Sequence, residues 1–179
     1  MAFGLSFSSG SSAAGDRLSD KHTRTLEELC AKIRDVAIVG VGVATVEEID
    51  TLNIFWATML AMTRAVDALG LVPAMVLVDG NRCPNWNHTS TAIVGGDALC
   101  LSIAAASIVA KVTRDRMMVR ADSVFPAYGF ASHVGYATAV HRAGIDRHGP
   151  CSLHRMSFRP LRKDEEADTE IQFDAGILD

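Results

Sequence analysis

The alternation of apolar and polar residues predicts a series of helices and strands. Leucine and isoleucine recur at helical spacing over residues 18–34, and with Ser19 as N-cap they predict a first helix. The β-branched run at 36–44 predicts a strand, whose glycines indicate a bulge or the close approach of another backbone. Thr45 opens a capping-box sequence, which predicts a long helix ending at Leu69.

The second half of the chain continues this pattern. It predicts strands at 75–78 and 91–94, a long helix from about residue 98 to residue 120 and a shorter helix at 136–147. The long helix is apolar over most of its surface, so we expect it to be largely buried. Strand, helix and strand in succession predict a right-handed parallel crossover, with ligands at the C-terminal ends of the strands.

Composition is that of a single globular domain. The chain has 179 residues, about half of them apolar, enough for one hydrophobic core. We interpret residues 1–16 as a flexible leader, 17–162 as the domain and 163–179 as an acidic disordered tail. No long apolar run or secretory signal is present, and the four cysteines are scattered. These features favour a cytoplasmic protein with free thiols and no membrane span.

Charge is unevenly distributed around the net value of −4. Residues 1–100 hold 7 basic and 11 acidic residues, whereas residues 101–162 hold 9 basic and 3 acidic residues, a net charge of +6. Residues 163–179 hold one basic and 7 acidic residues. A basic segment suits a phosphate backbone as ligand, but it is equally typical of an ordinary solvated surface.

Two aspartates stand at the ends of predicted elements. Asp79 ends the second strand, and Asp97 directly precedes the long helix. Hard divalent cations take oxygen ligands, so two carboxylates on rigid elements indicate a metal site. Plain structural roles are also open, with Asp79 as a turn former and Asp97 as a helix N-cap. An α/β phosphotransferase with Asp79 as nucleophile is disfavoured, because Asn81 stands where such enzymes usually place a second acid.

Five motifs extend this pair in a fixed order. They are Asp79-Gly-Asn-Arg-Cys-Pro84, Gly95-Gly-Asp97, Ala105-Ala-Ser-Ile-Val-Ala-Lys111, Gly135-Tyr-Ala-Thr138 and His148-Gly-Pro150 with His154-Arg-Met-Ser-Phe158. Together they resemble ribonuclease HII over residues 17–160. The resemblance implies a ribonuclease-H-like α/β domain with a mixed sheet, flanking helices and a small helical C-terminal portion.

The resemblance also implies an activity and a set of site residues. Ribonuclease HII cuts the RNA strand of RNA–DNA hybrids, and duplex DNA at embedded ribonucleotides, with Mn²⁺ or Mg²⁺, leaving 5′-phosphate ends. Asp79 and Asp97 would be the catalytic metal ligands. Substrate contacts would come from Asn81, Arg82, Lys111 and Tyr136, the last packing on the sugar. We expect a monomer that binds hybrids and no membrane.

Departures from the family pattern leave an alternative open. This sequence has no counterpart of the first family strand, Asp-Glu-x-Gly-Arg-Gly, whose two acids complete the metal site, so we expect that strand to be missing. An inactive, truncated nucleic-acid-binding remnant is therefore the second hypothesis. Lys111 either contacts phosphate or pairs with Asp115 on the same helix. The spacing of His141, His148 and His154 does not favour zinc.

Overall fold

Helices surrounding a small sheet make up the computed structural model, which describes residues 20–157 and Leu161. The elements are α1 (Asp20–Val36), α2 (Val46–Asp67), β1 (Val76–Asp79), β2 (Ser90–Ile93), α3 (Gly96–Leu99), α4 (Leu101–Val124), a 3₁₀ turn (Pro126–Tyr128), α5 (Phe130–His133) and α6 (Ala139–His148). The predicted leader, the N-cap at Ser19 and the acidic tail lie outside the described residues. Among the described helices, none has both the length and the apolar character needed to cross a membrane.

The sheet consists of β1 and β2, which pair in parallel with Val76 opposite Ser90 and Asp79 opposite Ile93. Both strands were predicted to within one residue at each end. The mixed sheet is not seen in the described part of the chain, where these two parallel strands form the sheet. Because the strands run in the same direction, their C-terminal ends share one edge, which places Asp79 at the position expected for a ligand-binding residue.

The prediction of a strand at residues 36–44 is wrong for this structure. Val36 ends α1, and the segment that follows is irregular as far as the start of α2. A Cβ at Gly40 would lie 2.1 Å from the carbonyl oxygen of Ala65, and one at Gly42 would lie 2.0 Å from that of Ala61. The predicted close approach of another backbone is thus confirmed, but that backbone is α2, whose hydrogen-bonding groups are already used within the helix.

Helix α2 begins as its sequence predicts. The Thr45 hydroxyl accepts the N–H of Glu48 at 3.2 Å, while the Glu48 carboxylate accepts the N–H of Thr45 at 2.8 Å. Arg64 donates to both oxygens of the same carboxylate, and these bonds lower the pKa of Glu48 to about 2. Asn53 interrupts the helix with φ 67°, and its side chain accepts the N–H of Phe55, which restarts the turn.

Helix α4 is the central packing element. It contacts α1, α3, α5, the 3₁₀ turn and β1. Its buried residues lie on one face and are Ile103, Ala106, Val109, Ala110 and Val112. The expectation of a largely buried helix is too strong, since Leu101 is 86% exposed and Val124 is 70% exposed. The exposed apolar residues lie at the first residue and in the last third of the helix, whereas none of residues 102–115 is exposed.

The C-terminal segment is small and helical, as expected. Its core consists of Tyr128, Phe130 and Ile145, which pack together between α4 and α6. The helix predicted at 136–147 is observed as α6, with Thr138 as its N-cap. Beyond α6, the Asp50 carboxylate of α2 accepts the backbone N–H groups of Met156 and Ser157, at 3.0 and 3.1 Å. These bonds join the start of α2 to the last described segment, and the hydrogen bonds from Ser157 lower the pKa of Asp50.

Replacing the capping residue tests how much the start of α2 contributes to stability. Thr45→Ala removes the acceptor for the Glu48 N–H, so we expect the free energy of unfolding to fall by about 1 kcal/mol. Thr51→Ala is the matched control, because the exposed Thr51 hydroxyl only donates to the carbonyl of Glu47 within the helix. Its stability should stay within about 0.5 kcal/mol of the parent. Urea denaturation of both variants measures the difference; equal stabilities would contradict the capping role.

Candidate metal and nucleic-acid site

Asp79 is held at the sheet edge by a hydrogen bond to the next element. Its Oδ1 accepts the backbone N–H of Gly96 at 2.8 Å, across 17 positions of sequence. Gly80 follows with φ 116°, so the chain turns away immediately after the aspartate. The acceptor is a charged carboxylate, and the donor is the first N–H of α3. Negative charge is favourable at this end of a helix. The Asp79 side chain is therefore fixed in orientation and partly buried.

Asp97 lies next to this bond, but it is not the N-cap of the long helix. The turn at Gly95, with φ 66°, starts the separate short helix α3, and Asp97 is in its first turn with an exposed side chain. Helix α4 begins only at Leu101. The structural interpretation of Asp97 as an N-cap is therefore wrong. Gly96 is buried, and a Cβ there would lie 2.5 Å from Ile103 Cδ1 and 3.4 Å from Asp79 Oδ1. The residue directly before Asp97 therefore packs closely against both Asp79 and α4.

The two carboxylates fit a divalent cation in kind but not in number. Their oxygen donors suit Mg²⁺ or Mn²⁺, which take mostly oxygen ligands. Within residues 20–157, no group of three or more histidine, cysteine or acidic side chains is placed to hold a metal ion. Asp79 and Asp97 would therefore supply part of a coordination shell, and water, substrate phosphate or further carboxylates would have to complete it.

The residues that were predicted to contact the substrate, apart from Tyr136, lie in two different places. Asn81 and Arg82 are exposed in the loop after β1. Lys111 lies on α4 and donates to Asp115 at 2.8 Å, and Arg114 donates to the same carboxylate at 3.3 Å. Of the two roles considered for Lys111, pairing with Asp115 is the one seen in the structure. The three side chains form one cluster on α4.

Tyr136 belongs to a second part of the site. Its ring is 60% exposed, and the guanidinium carbon of Arg114 lies 5.2 Å from the ring centroid. Arg114 is 11 residues beyond Ile103, which packs at Gly96; a rise of ~1.5 Å per residue separates them by about 16 Å along α4. The structure thus brings Asp79 and Asp97 together and places Tyr136 farther along the same helix.

Three buried histidines lie next to the backbone of Tyr136, and no pattern in the sequence predicted them as a group. His133, His141 and His154 are each less than 9% exposed. The rings of His133 and His141 stack at 4.6 Å, and the Nε2 atoms of His141 and His154 are 3.0 Å apart. His148, which sequence spacing grouped with the last two, is instead exposed.

Arg114, which lies on the Tyr136 ring and donates to Asp115, has a second arginine, Arg155, in its neighbourhood. Burial and the neighbouring Arg114 lower the pKa of Arg155, while Asp50 acts in the opposite direction. Two guanidinium groups that repel each other in this way form a favourable environment for an added anion. The aromatic ring and this positive field lie side by side on the C-terminal half of the domain.

Comparison with known proteins shows the family to which the chain belongs. The family model for ribonuclease HII matches residues 15–160. The chain belongs to the ribonuclease HII family. Curated relatives named ribonuclease HII are 64% identical over 134 residues in Rhizorhabdus wittichii, 57% over 137 in Parvibaculum lavamentivorans and 54% over 138 in Paraburkholderia xenovorans. These matches cover 75–76% of this chain and 66%, 51% and 56% of the relatives. The chain therefore spans half to two thirds of the length of these ribonucleases HII.

Family membership confirms the resemblance drawn from the five motifs. All five motifs begin within the matched residues. The α/β class of the fold is confirmed as well. The roles of individual residues in this chain stay predictions. For Asp79, a contribution to stability can be measured separately from a contribution to metal binding.

The bond from Asp79 to Gly96 yields the first such test. Asp79→Ala removes the acceptor and leaves a buried N–H without its partner, so we expect the free energy of unfolding to fall by about 1.5–3 kcal/mol. Asp79→Asn keeps an oxygen acceptor of the same shape, and its loss should be smaller by about 1 kcal/mol or more. Denaturation in metal-free buffer measures both. Equal destabilisation by the two variants would show that the hydrogen bond is unimportant for stability.

Proposed function

We propose that this chain binds RNA–DNA hybrids, and duplex DNA containing ribonucleotides, and hydrolyses the phosphodiester 5′ to the ribonucleotide with Mn²⁺ or Mg²⁺. The products would carry 3′-hydroxyl and 5′-phosphate ends. Asp79 and Asp97 would be the metal ligands, and Tyr136 the residue against the sugar. Asn81, Arg82 and Lys111 would contribute the contacts with the backbone of the substrate.

The observation that carries the proposal is the bond between Asp79 Oδ1 and the Gly96 N–H. It joins the end of β1 to the start of α3, and so it holds two acidic motifs in one place before any ligand arrives. A bound divalent cation would activate water and stabilise the leaving oxygen. The contribution of the chain would be to hold the Asp79 carboxylate in a fixed orientation beside the turn that carries Asp97, which lowers the cost of ordering that ligand on binding.

The second part of the site supports a nucleic acid as the ligand. Tyr136 exposes a flat ring that can pack against a sugar or base, with the Arg114 guanidinium on it. Arg155 adds positive charge nearby, and phosphate groups would relieve the repulsion between the two arginines. With the carboxylates at one end of α4 and the aromatic ring farther along it, this surface suits an extended polyanion better than a small molecule.

A second candidate is a nucleic-acid-binding protein without catalytic activity. Hydrolysis by two metal ions needs enough ligands to hold both cations. The described residues bring together two carboxylates and no larger group of metal-binding side chains. Binding by Tyr136 and the arginines does not depend on a complete metal site, so a protein of this kind would bind hybrid without cutting it.

Cleavage of a labelled duplex with one embedded ribonucleotide separates the two candidates. With Mn²⁺ or Mg²⁺ the full chain should cut at that ribonucleotide, and EDTA should abolish the reaction. Asp79→Asn and Asp97→Asn should each lower the rate by about a hundredfold or more, because a metal ligand contributes several kcal/mol to the transition state. Denaturing gel electrophoresis of the products measures both the rate and the position of the cut.

Asp67→Asn is the matched control for these variants. Asp67 is an exposed aspartate at the end of α2, remote in sequence from both motifs, and its replacement should leave the rate unchanged. Absence of cutting by folded chain that still binds the duplex would favour the second candidate. Cutting that persists in Asp79→Asn would contradict the assigned role of that residue.

Replacing Tyr136 tests the nucleic-acid surface apart from cleavage. Tyr136→Ala removes the ring, and we expect the dissociation constant for a hybrid to rise about tenfold, as stacking contributes ~1–3 kcal/mol. Tyr136→Phe keeps the ring and should bind within about twofold of the parent. Fluorescence anisotropy with Ca²⁺ in place of the catalytic cation gives both constants. Equal losses in the two variants would point to the hydroxyl group instead of the ring.

A further inference from the structure

The backbone of Tyr136 is held by buried histidines on both sides. The Nδ1 of His133 accepts the N–H of Gly135 at 3.1 Å, and its Nε2–H donates to the carbonyl of Tyr128 at 2.7 Å. The N–H of Tyr136 itself donates to the carbonyl of His133 at 2.9 Å. Two neighbours in this turn, Val134 and Gly135, have φ values of 42° and 84°. A β-branched residue in the left-handed region persists only where its surroundings enforce it.

A continuous hydrogen-bonded chain leads from the carbonyl of Tyr136 into the C-terminal segment. This carbonyl can only accept, so Nδ1 of His141, 3.0 Å away, carries the proton and donates it. His141 Nε2 is then an acceptor, and His154 Nε2–H donates to it at 3.0 Å. His154 Nδ1 in turn accepts the backbone N–H of Cys151 at 2.9 Å. Thr138 also donates its N–H to the Tyr136 carbonyl, at 2.8 Å.

The directions of these bonds determine the charge of each ring. Each of the three histidines donates through one nitrogen and accepts through the other, which is possible only for the neutral form in a single tautomer. Adding a proton to His141 or His154 would place N–H against N–H and break one bond of the chain. The other groups near His154 Nδ1 are the Cys151 Sγ at 3.1 Å and the Cys151 carbonyl at 3.3 Å, which also accepts the backbone N–H of His154 at 3.0 Å.

We propose that His133, His141 and His154 are positioning residues for Tyr136: as neutral rings they hold the turn that presents the tyrosine, and protonation of the His141–His154 pair releases it. The consequence for binding rests on the function proposed above. The structural consequence for Tyr136 does not, and it can be measured without any nucleic acid.

The surroundings of the pair keep it neutral. Burial is the main cause that lowers the pKa of both His141 and His154 below 6.5, and the neighbouring histidines lower that of His141 further. The titratable groups of the elements around them are Arg114 of α4, Tyr128 of the 3₁₀ turn, Arg142 of α6, and Cys151 and Arg155 of the last segment. In addition, Glu47 and Asp50 of α2 line the same cavity as His154, and Asp50 accepts the N–H groups of Met156 and Ser157. These two acids would favour a protonated His154, and burial of the ring opposes them.

The sign of the pH effect follows from these lowered pKa values. Well above pH 6.5 both rings are neutral in the folded and in the unfolded chain, and the hydrogen bonds that hold Tyr136 are complete. Below pH 6.5 the unfolded chain takes up protons first, so the free energy of unfolding falls as the pH decreases. When the pH passes through the lowered folded pKa values, the chain of bonds breaks and Tyr136 loses its fixed position.

Fluorine NMR of the full chain labelled with 3-fluorotyrosine tests the proposal directly. The protein has two tyrosines, so two signals are expected, and Tyr136→Phe assigns them. We expect the Tyr136 signal to shift or broaden between about pH 7.5 and about pH 5, with a midpoint below 6.5. His141→Leu should show the released signal at neutral pH, whereas His141→Asn, whose amide can donate to the Tyr136 carbonyl, should keep the original one.

His148→Ala is the matched control, since His148 is an exposed histidine on the same helix α6. It should leave both the signal and its pH dependence unchanged. The hybrid dissociation constant should rise about tenfold in His141→Leu at neutral pH, and its rise on acidification should disappear in His141→Asn. If the Tyr136 signal of the parent chain does not change with pH, the proposal is overturned. This outcome does not depend on whether His141→Leu folds. Hybrid binding that fails while the signal responds as expected would count against the proposed function alone.

Discussion

The buried face of α4 is the constraint on which both parts of the candidate site depend. Near the start of the helix, Ile103 packs against Gly96 and so fixes the turn that carries Asp97 beside Asp79. Farther along, Ala110 packs on Ala65 of α2, and Arg114 lies on the ring of Tyr136. Because α4 is a single helix, its rise sets the spacing between the turn at Gly96 and the ring of Tyr136.

Patterns within a few residues of sequence predicted most of the helices and strands. The same patterns did not show which distant segments would contact each other. The capping box at Thr45 and the strands ending at Asp79 and Ile93 were found because each pattern lies within a few residues. The strand expected at 36–44 failed because a β-branched run cannot tell which backbone will lie beside it. Hydropathy likewise marked α4 as apolar, but it could not show that the last third of the helix would be exposed.

The candidate site shows the same division. Asp79 was predicted from its place at a strand end, but the second helix start at Gly95 made the N-cap interpretation of Asp97 wrong. The buried histidines escaped notice because they are separated by 8 and 13 residues, spacings that match no regular element. Sequence proximity suggested His148 as a neighbour of the group, whereas the turn of α6 faces that ring toward solvent.

The hydrogen bonds from Asp50 to Met156 and Ser157 bear on the order in which this domain folds. They join backbone positions 106 and 107 residues apart, so their formation must close a loop that contains most of the described chain. Loop-closure entropy opposes such contacts until the intervening elements are in place, and they therefore belong to the final step of folding. The start of α2 is therefore tied to the last described segment of the chain only after the elements between them have packed.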